Sequence, residues 1–169
     1  MSDTSGANIG IIRNLRTYTE LPPDILARER DLVIGFGIDT ALKDKQQNDY
    51  HVIYVGGLDR YGRVWMLDRV KLRCGMPELL DTIVTLYNKW TVERHGSKFP
   101  PFAIWVEDTA SGTPAVQMLQ AQLPYFPTIL VPVQQGGKRS RANAISPFLH
   151  GGHVLWPKNT EWFDDSEYE

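Results

Sequence analysis

The chain has 169 residues, 42% apolar and 22% charged, the balance of one soluble domain with a sizeable core. No apolar stretch reaches the length of a membrane span, and the opening MSDTSGANIG lacks the basic and apolar regions of a signal peptide. The formal net charge of −2 argues against a strongly basic nucleic-acid binder, but the last nine residues, EWFDDSEYE, hold five acids and no Lys or Arg, leaving a mildly basic body with clusters at DRVKLR (68–73) and GGKRSR (136–141).

Residues 1–30 are mixed and polar and read as an arm or linker, with a helical turn after Pro23; a folded domain over 31–169 follows. DLVIGFGID (31–39) is a continuous apolar run that ends on an acid, the pattern of a buried strand. ALKDKQQND (41–49) is a polar loop. YHVIYVGGL (50–58) and RVWMLDRVKL (63–72), separated by the turn DRYG, form a hairpin. Cys74, the single cysteine, reads as a strand-end or turn residue in preference to a nucleophile. MPELLDTIVTLYNKW (76–90) has helical apolar spacing at Leu79, Leu80, Ile83, Leu86, Tyr87 and Trp90, with Pro77 in its first turn.

RHGSKFPP (94–101) reads as a loop, FAIWVE (102–107) as a short apolar strand, and TPAVQMLQAQL (113–123) as a helix. TILVPV (128–133) is a strand, QQGGKRSRANAISPFLHGG (134–152) a glycine loop and basic helix, HVLWP (153–157) a strand, and NTEWFDDSEYE the start of a helix. A meander followed by alternating helices and strands predicts an α/β fold: a mixed sheet with helices on both faces.

Two strands share a peculiarity. VIGFGID ends on Asp39 and FAIWVE on Glu107. Sites in open α/β sheets form outside the carboxyl ends of the strands, so neighbouring strands of this kind would bring the two acids together. Adjacent carboxylates repel unless a cation lies between them, and an all-oxygen donor set suits Mg²⁺ or Mn²⁺ rather than zinc. A single strand-end acid more often caps the next segment or pairs with an Arg; two of them in this order favour a metal. EDTASG adds small residues, and Gly112 lets another backbone approach a helix start that offers N–H groups to a phosphate. Lys138, Arg139 and Arg141, beside Gly136 and Gly137, suit phosphate neutralisation, although an exposed basic helix start is a serious competitor. GGKRS is not a P-loop, because it lacks the upstream glycine and its Lys is followed by Arg.

These segments together resemble the C-terminal nuclease domain of tailed-phage terminase large subunits, which has a ribonuclease-H-like fold. VIGFGIDTA resembles its first strand with a catalytic Asp; NDYHVIYVGGLDRYGRVWMLDRVKLR resembles the next hairpin with an Asp-aromatic opening at Asp49 and Tyr50; IWVEDTASGTPAVQML resembles the second acidic strand; and KRSRANAISPFLHGGHVLWP resembles the K-x-x-R-A segment leading to G-x-V-x-x-P, with Lys138, Arg141 and Ala142 on the pattern. The resemblance implies metal-dependent cleavage of concatemeric double-stranded DNA during packaging, in the cytoplasm of a bacterial host. Asp39 and Glu107 would be catalytic ligands of a two-metal Mg²⁺ or Mn²⁺ site, and Lys138, Arg139, Arg141 and the Gly112 turn would meet DNA. The implied partners are the terminase ATPase domain, the small terminase subunit and the portal, with no membrane. The chain departs from the family in having no Walker A motif and in ending before the expected third acidic cluster; Asp164 and Asp165 are the weak stand-ins. The competing expectations are a catalytically impaired DNA-binding or assembly module and another ribonuclease-H-like nuclease of resolvase or transposase type.

Overall fold

The computed structural model describes residues 15–22, 32–40, 50–94, 96–108, 112–132, 137–158 and 160–163. Its strands are β1 (Arg16–Tyr18), β2 (Val33–Asp39), β3 (His51–Leu58), β4 (Val64–Leu72), β5 (Val92–Arg94), β6 (Ser97–Phe99), β7 (Ala103–Glu107), β8 (Thr128–Val131) and β9 (Val154–Pro157). The helices among the described residues are α1 (Met76–Lys89), α2 (Gly112–Gln122) and α3 (Gly137–His150). Seven strands form one mixed sheet in the order β1-β9-β4-β3-β2-β7-β8, and β5 and β6 pair separately. The expected meander is β2-β3-β4, and β7 and β8 extend it in parallel from β2.

The chain divides into two compact units. The larger comprises residues 33–57 and 68–133. Along β2 the side chains alternate, with Ile34, Phe36 and Ile38 buried and Val33, Gly37 and Asp39 exposed. Phe36 and Ile38 stand opposite Ile104 and Val106 in the parallel β2–β7 register, so all four share one face. Ile53 and Val55 of β3 add to the core. Helix α1 contributes Leu79, Leu80, Ile83 and Leu86, and α2 contributes Ala115, Val116 and Leu119. Each large apolar side chain buried in this way contributes about 1.5–3 kcal/mol. α2 lies against β7 and β8 and touches α1. Glu78 holds the start of α1 by accepting the Gly75 N–H at 3.4 Å.

The other unit comprises residues 1–32, 58–67 and 134–169. Its β-turn is built on Asp59, which is buried: Oδ1 accepts the backbone N–H groups of Tyr61 and Arg63, and Oδ2 accepts Arg63 Nε at 2.7 Å and Trp65 Nε1 at 2.9 Å. At the end of α3, Gly152 adopts φ +72°, and a Cβ there would also meet the Arg16 side chain at 2.6 Å. The chain then enters β9, which pairs in parallel with both β4 and β1.

Three expectations need correction. The segment 1–30 is not wholly an arm, because Arg16–Tyr18 is a strand, and Tyr18 donates its hydroxyl to the Met66 carbonyl at 2.6 Å. RHGSKFPP is not simply a loop: β5 and β6 form a hairpin whose turn has Gly96 at φ +76°. Thr160–Phe163 is a bridged turn instead of a helix start, because buried Phe163 stacks on Trp156 with ring centroids 5.1 Å apart. The helical turn expected after Pro23 lies outside the described residues.

Candidate metal and nucleic-acid site

The β2–β7 register brings the two strand-end acids together. Ile38 stands opposite Val106, so Asp39 and Glu107 come next in each strand, side by side at the carboxyl ends. Adjacent strands are about 4.8 Å apart, and directly opposed residues of parallel strands point to the same face. That face is the one opposite Ile38 and Val106, and so opposite the core. It also carries Gly35, Gly37 and Trp105, and, through the β7–β8 register, Ile129 and Val131. Trp105 is 41% exposed and lies over Gly35, where a Cβ would come within 2.4 Å of the indole. Gly35 is therefore small because the ring occupies its side-chain space. Asp39 is exposed and Glu107 half-buried.

The second acid of EDTASG has a different task. Asp108 has the opposite strand parity to Glu107; its N–H donates to the Val131 carbonyl at 2.8 Å, and its Oδ1 accepts the Thr113 hydroxyl at 2.7 Å. It ties the end of β7 to the start of α2. Gly112 does make a close backbone approach, but to the chain itself: a Cβ there would lie 1.9 Å from the Glu107 carbonyl oxygen. Its buried position makes it a residue that seats α2 behind Glu107.

Lys138, Arg139 and Arg141 fall in the first turns of α3, as the sequence indicates, but their side chains lie outside the described residues. Asp164 and Asp165 also lie outside them. Among the described residues there is no group of three or more His, Cys, Asp or Glu placed to hold a metal. The donor set that fits a divalent ion is the Asp39–Glu107 pair of hard carboxylate oxygens. Burial, and then the charge of Glu78, raises the Cys74 thiol pKa, which disfavours the thiolate form. Neighbouring His51 is buried and donates Nε2–H to the Cys74 carbonyl at 3.1 Å, since a carbonyl only accepts.

One basic element went unassigned in the sequence. The Tyr50 ring, just before β3, is covered by two cations from the end of β4, with Lys71 Nζ 4.5 Å and Arg73 Cζ 4.2 Å from its centroid. The sequence signal is the i, i+2 spacing of Lys71 and Arg73, which puts both on one strand face.

This arrangement of meander, parallel extension and strand-end carboxylates defines a ribonuclease-H-like α/β fold. The family described as "Terminase RNaseH-like domain" matches residues 36–168, and the chain belongs to that family. Among solved structures, the large terminase nuclease from thermophilic phage G20c, crystallised with bound magnesium, superposes with a TM-score of 0.53 over 90% of this chain and 73% of that one, at 16% identity. No curated protein matches the sequence. No helix among the described residues is long and apolar enough to cross a membrane.

Proposed function

We infer that this chain is a metal-dependent endonuclease domain that cuts concatemeric double-stranded DNA during phage packaging, in the cytoplasm of a bacterial host. The observation that carries this reading is the placement of Asp39 and Glu107 on adjacent parallel strand ends, facing away from the core. The magnesium bound by the G20c nuclease supports Mg²⁺ or Mn²⁺ as the ion.

Asp39 and Glu107 would hold the ion through carboxylate oxygens, with Asp164 or Asp165 as a further ligand in a two-metal site. A divalent ion there lowers the pKa of water and offsets charge on a scissile phosphate. The rest falls to the protein. β2 and β7 fix the two carboxylates at strand spacing, and Gly112 lets α2 start directly behind Glu107. Lys138, Arg139 and Arg141 would neutralise backbone phosphates, and DNA would come near Glu107 beside Gly112. The ATPase domain, small terminase subunit and portal are the proposed partners.

The test is cleavage of plasmid DNA with Mg²⁺ or Mn²⁺ by the parent and by Asp39→Asn and Glu107→Gln. Loss of cutting in both variants, with folding intact, supports the assignment. Variants that cut like the parent overturn it. A second reading, a DNA-binding module without cleavage, draws on the lack of a third acid among the described residues. It requires salt-sensitive DNA binding with no cutting under either metal. Preference for branched over linear duplex would instead indicate a resolvase-type enzyme.

A further inference from the structure

The basic run DRVKLR has no part in the reading above, yet its geometry is specific. β2, β3 and β4 form a meander, so the end of β2, the start of β3 and the end of β4 lie at one edge of the sheet. Asp39, Tyr50, Lys71 and Arg73 therefore share an edge, and Glu107 joins them through β7. They also share a face. Asp39 alternates with buried Ile38, and Tyr50 with buried His51. Lys71 and Arg73 follow Tyr50, because both sit over its ring. Asp68, of opposite parity, points the other way and is bridged at 2.6 Å by Lys89 at the end of α1.

Tyr50, Lys71 and Arg73 are all exposed. Two like charges drawn to one ring repel each other, and neither makes an ion pair among the described residues. A cation over an exposed aromatic face gains only a modest attraction. The ring thus gathers two exposed cations close together, and a polyanion with regularly spaced charges matches them.

We propose that Tyr50, Lys71 and Arg73 form a cationic ledge that grips the phosphate backbone of duplex DNA beside the Asp39–Glu107 pair. This rests on the reading of the chain as a DNA-cutting domain and adds to it the residues that hold the strand. Tyr50 is a positioning residue, and the two cations make the contact.

The experiment is binding of a short labelled duplex by the whole chain in EDTA, by fluorescence anisotropy across a salt series. The parent is compared with Lys71→Gln/Arg73→Gln and with Lys98→Gln, an exposed cation in the separate β5–β6 hairpin. Each lost phosphate contact lowers the slope of log K against log salt by about 0.9. The double variant is expected to lose roughly 2 from the slope and about tenfold in affinity at low salt, and Lys98→Gln to leave the slope unchanged. Tyr50→Leu is expected to weaken binding with both charges kept, and it serves alone if the double variant does not fold. A parent that binds no DNA overturns the DNA reading itself. A parent that binds, with ledge variants of unchanged slope, overturns the ledge and leaves that reading standing. An equal loss in Lys98→Gln reduces the effect to net charge and also overturns the ledge.

Discussion

Gly112 sits so close to Glu107 that a methyl group on it would overlap the Glu107 carbonyl oxygen, at 1.9 Å. The clash is with backbone, which cannot rotate away, so either α2 or the end of β7 must move. Gly112→Ala is therefore expected to destabilise the fold by about 1–3 kcal/mol, the usual cost of overpacking, and to displace Glu107 from Asp39. Urea denaturation reads the first effect and metal-dependent cleavage the second. A variant with parental stability and parental cleavage would show that α2 is not seated against Glu107.

Metal binding by the strand-end pair can be measured without any cleavage. An ion bound only by the folded state stabilises it by about 2.7 kcal/mol at a hundredfold excess over its dissociation constant, and about 1 kcal/mol moves Tm by roughly 2–4 °C in a domain of this size. Saturating Mn²⁺ is expected to raise the parent's Tm by roughly 5–10 °C. Asp39→Asn and Glu107→Gln should each lose most of that rise. An equal Mn²⁺ response in parent and both variants would place the ion elsewhere.

What the sequence reveals and conceals follows from where the information is local. β2 and β7 are legible because both are buried-strand runs stopped by an acid, and α1 because Leu79, Leu80, Ile83 and Leu86 recur at helical spacing. β1 is not legible: Arg16, Thr17 and Tyr18 show no pattern, and their strand exists only through pairing with Leu155, Trp156 and Pro157, far along the chain. The β5–β6 hairpin is hidden for a similar reason, since its strands are three residues each and Ser97, Lys98 and Phe99 are all exposed. Gly112 shows the middle case. Its smallness is visible in EDTASG, but only the fold identifies the Glu107 carbonyl as the group it admits. The pairing of Asp39 with Glu107 depends on β2 and β7 being sheet neighbours, a relation that strand order suggests and register makes concrete.

Docking of β1 can be tested through Tyr18, whose hydroxyl bonds the Met66 carbonyl and whose ring meets Trp65 edge-on at 5.1 Å. Burial pushes its pKa up to about 12, so the hydroxyl stays protonated and donating across the physiological range. Tyr18→Phe keeps the ring contact and loses one hydrogen bond, with an expected cost of about 1 kcal/mol. Tyr18→Ala also removes the aromatic packing and should cost about 3 kcal/mol or more. If chemical denaturation finds both variants as stable as the parent, β1 contributes nothing to the fold.

Asp59 offers the sharpest pH test. Burial alone would raise its pKa, but the hydrogen bonds from Trp65, Arg63 and Tyr61 outweigh burial and hold the carboxyl below its ordinary value. A depressed carboxylate binds its proton less readily in the folded state than in the unfolded one. Its stabilising contribution is therefore complete above the unfolded pKa, near 4, and is lost as pH falls through the folded value. Urea midpoints measured from pH 7 downward should fall below about pH 4 in the parent. Asp59→Asn should show a lower plateau at neutral pH and a flatter acid limb. Asp59→Ala leaves Trp65 Nε1, Arg63 Nε and two backbone N–H groups without their acceptor and should cost about 3 kcal/mol or more. An acid limb equally steep in Asp59→Asn would assign the pH dependence to other carboxylates.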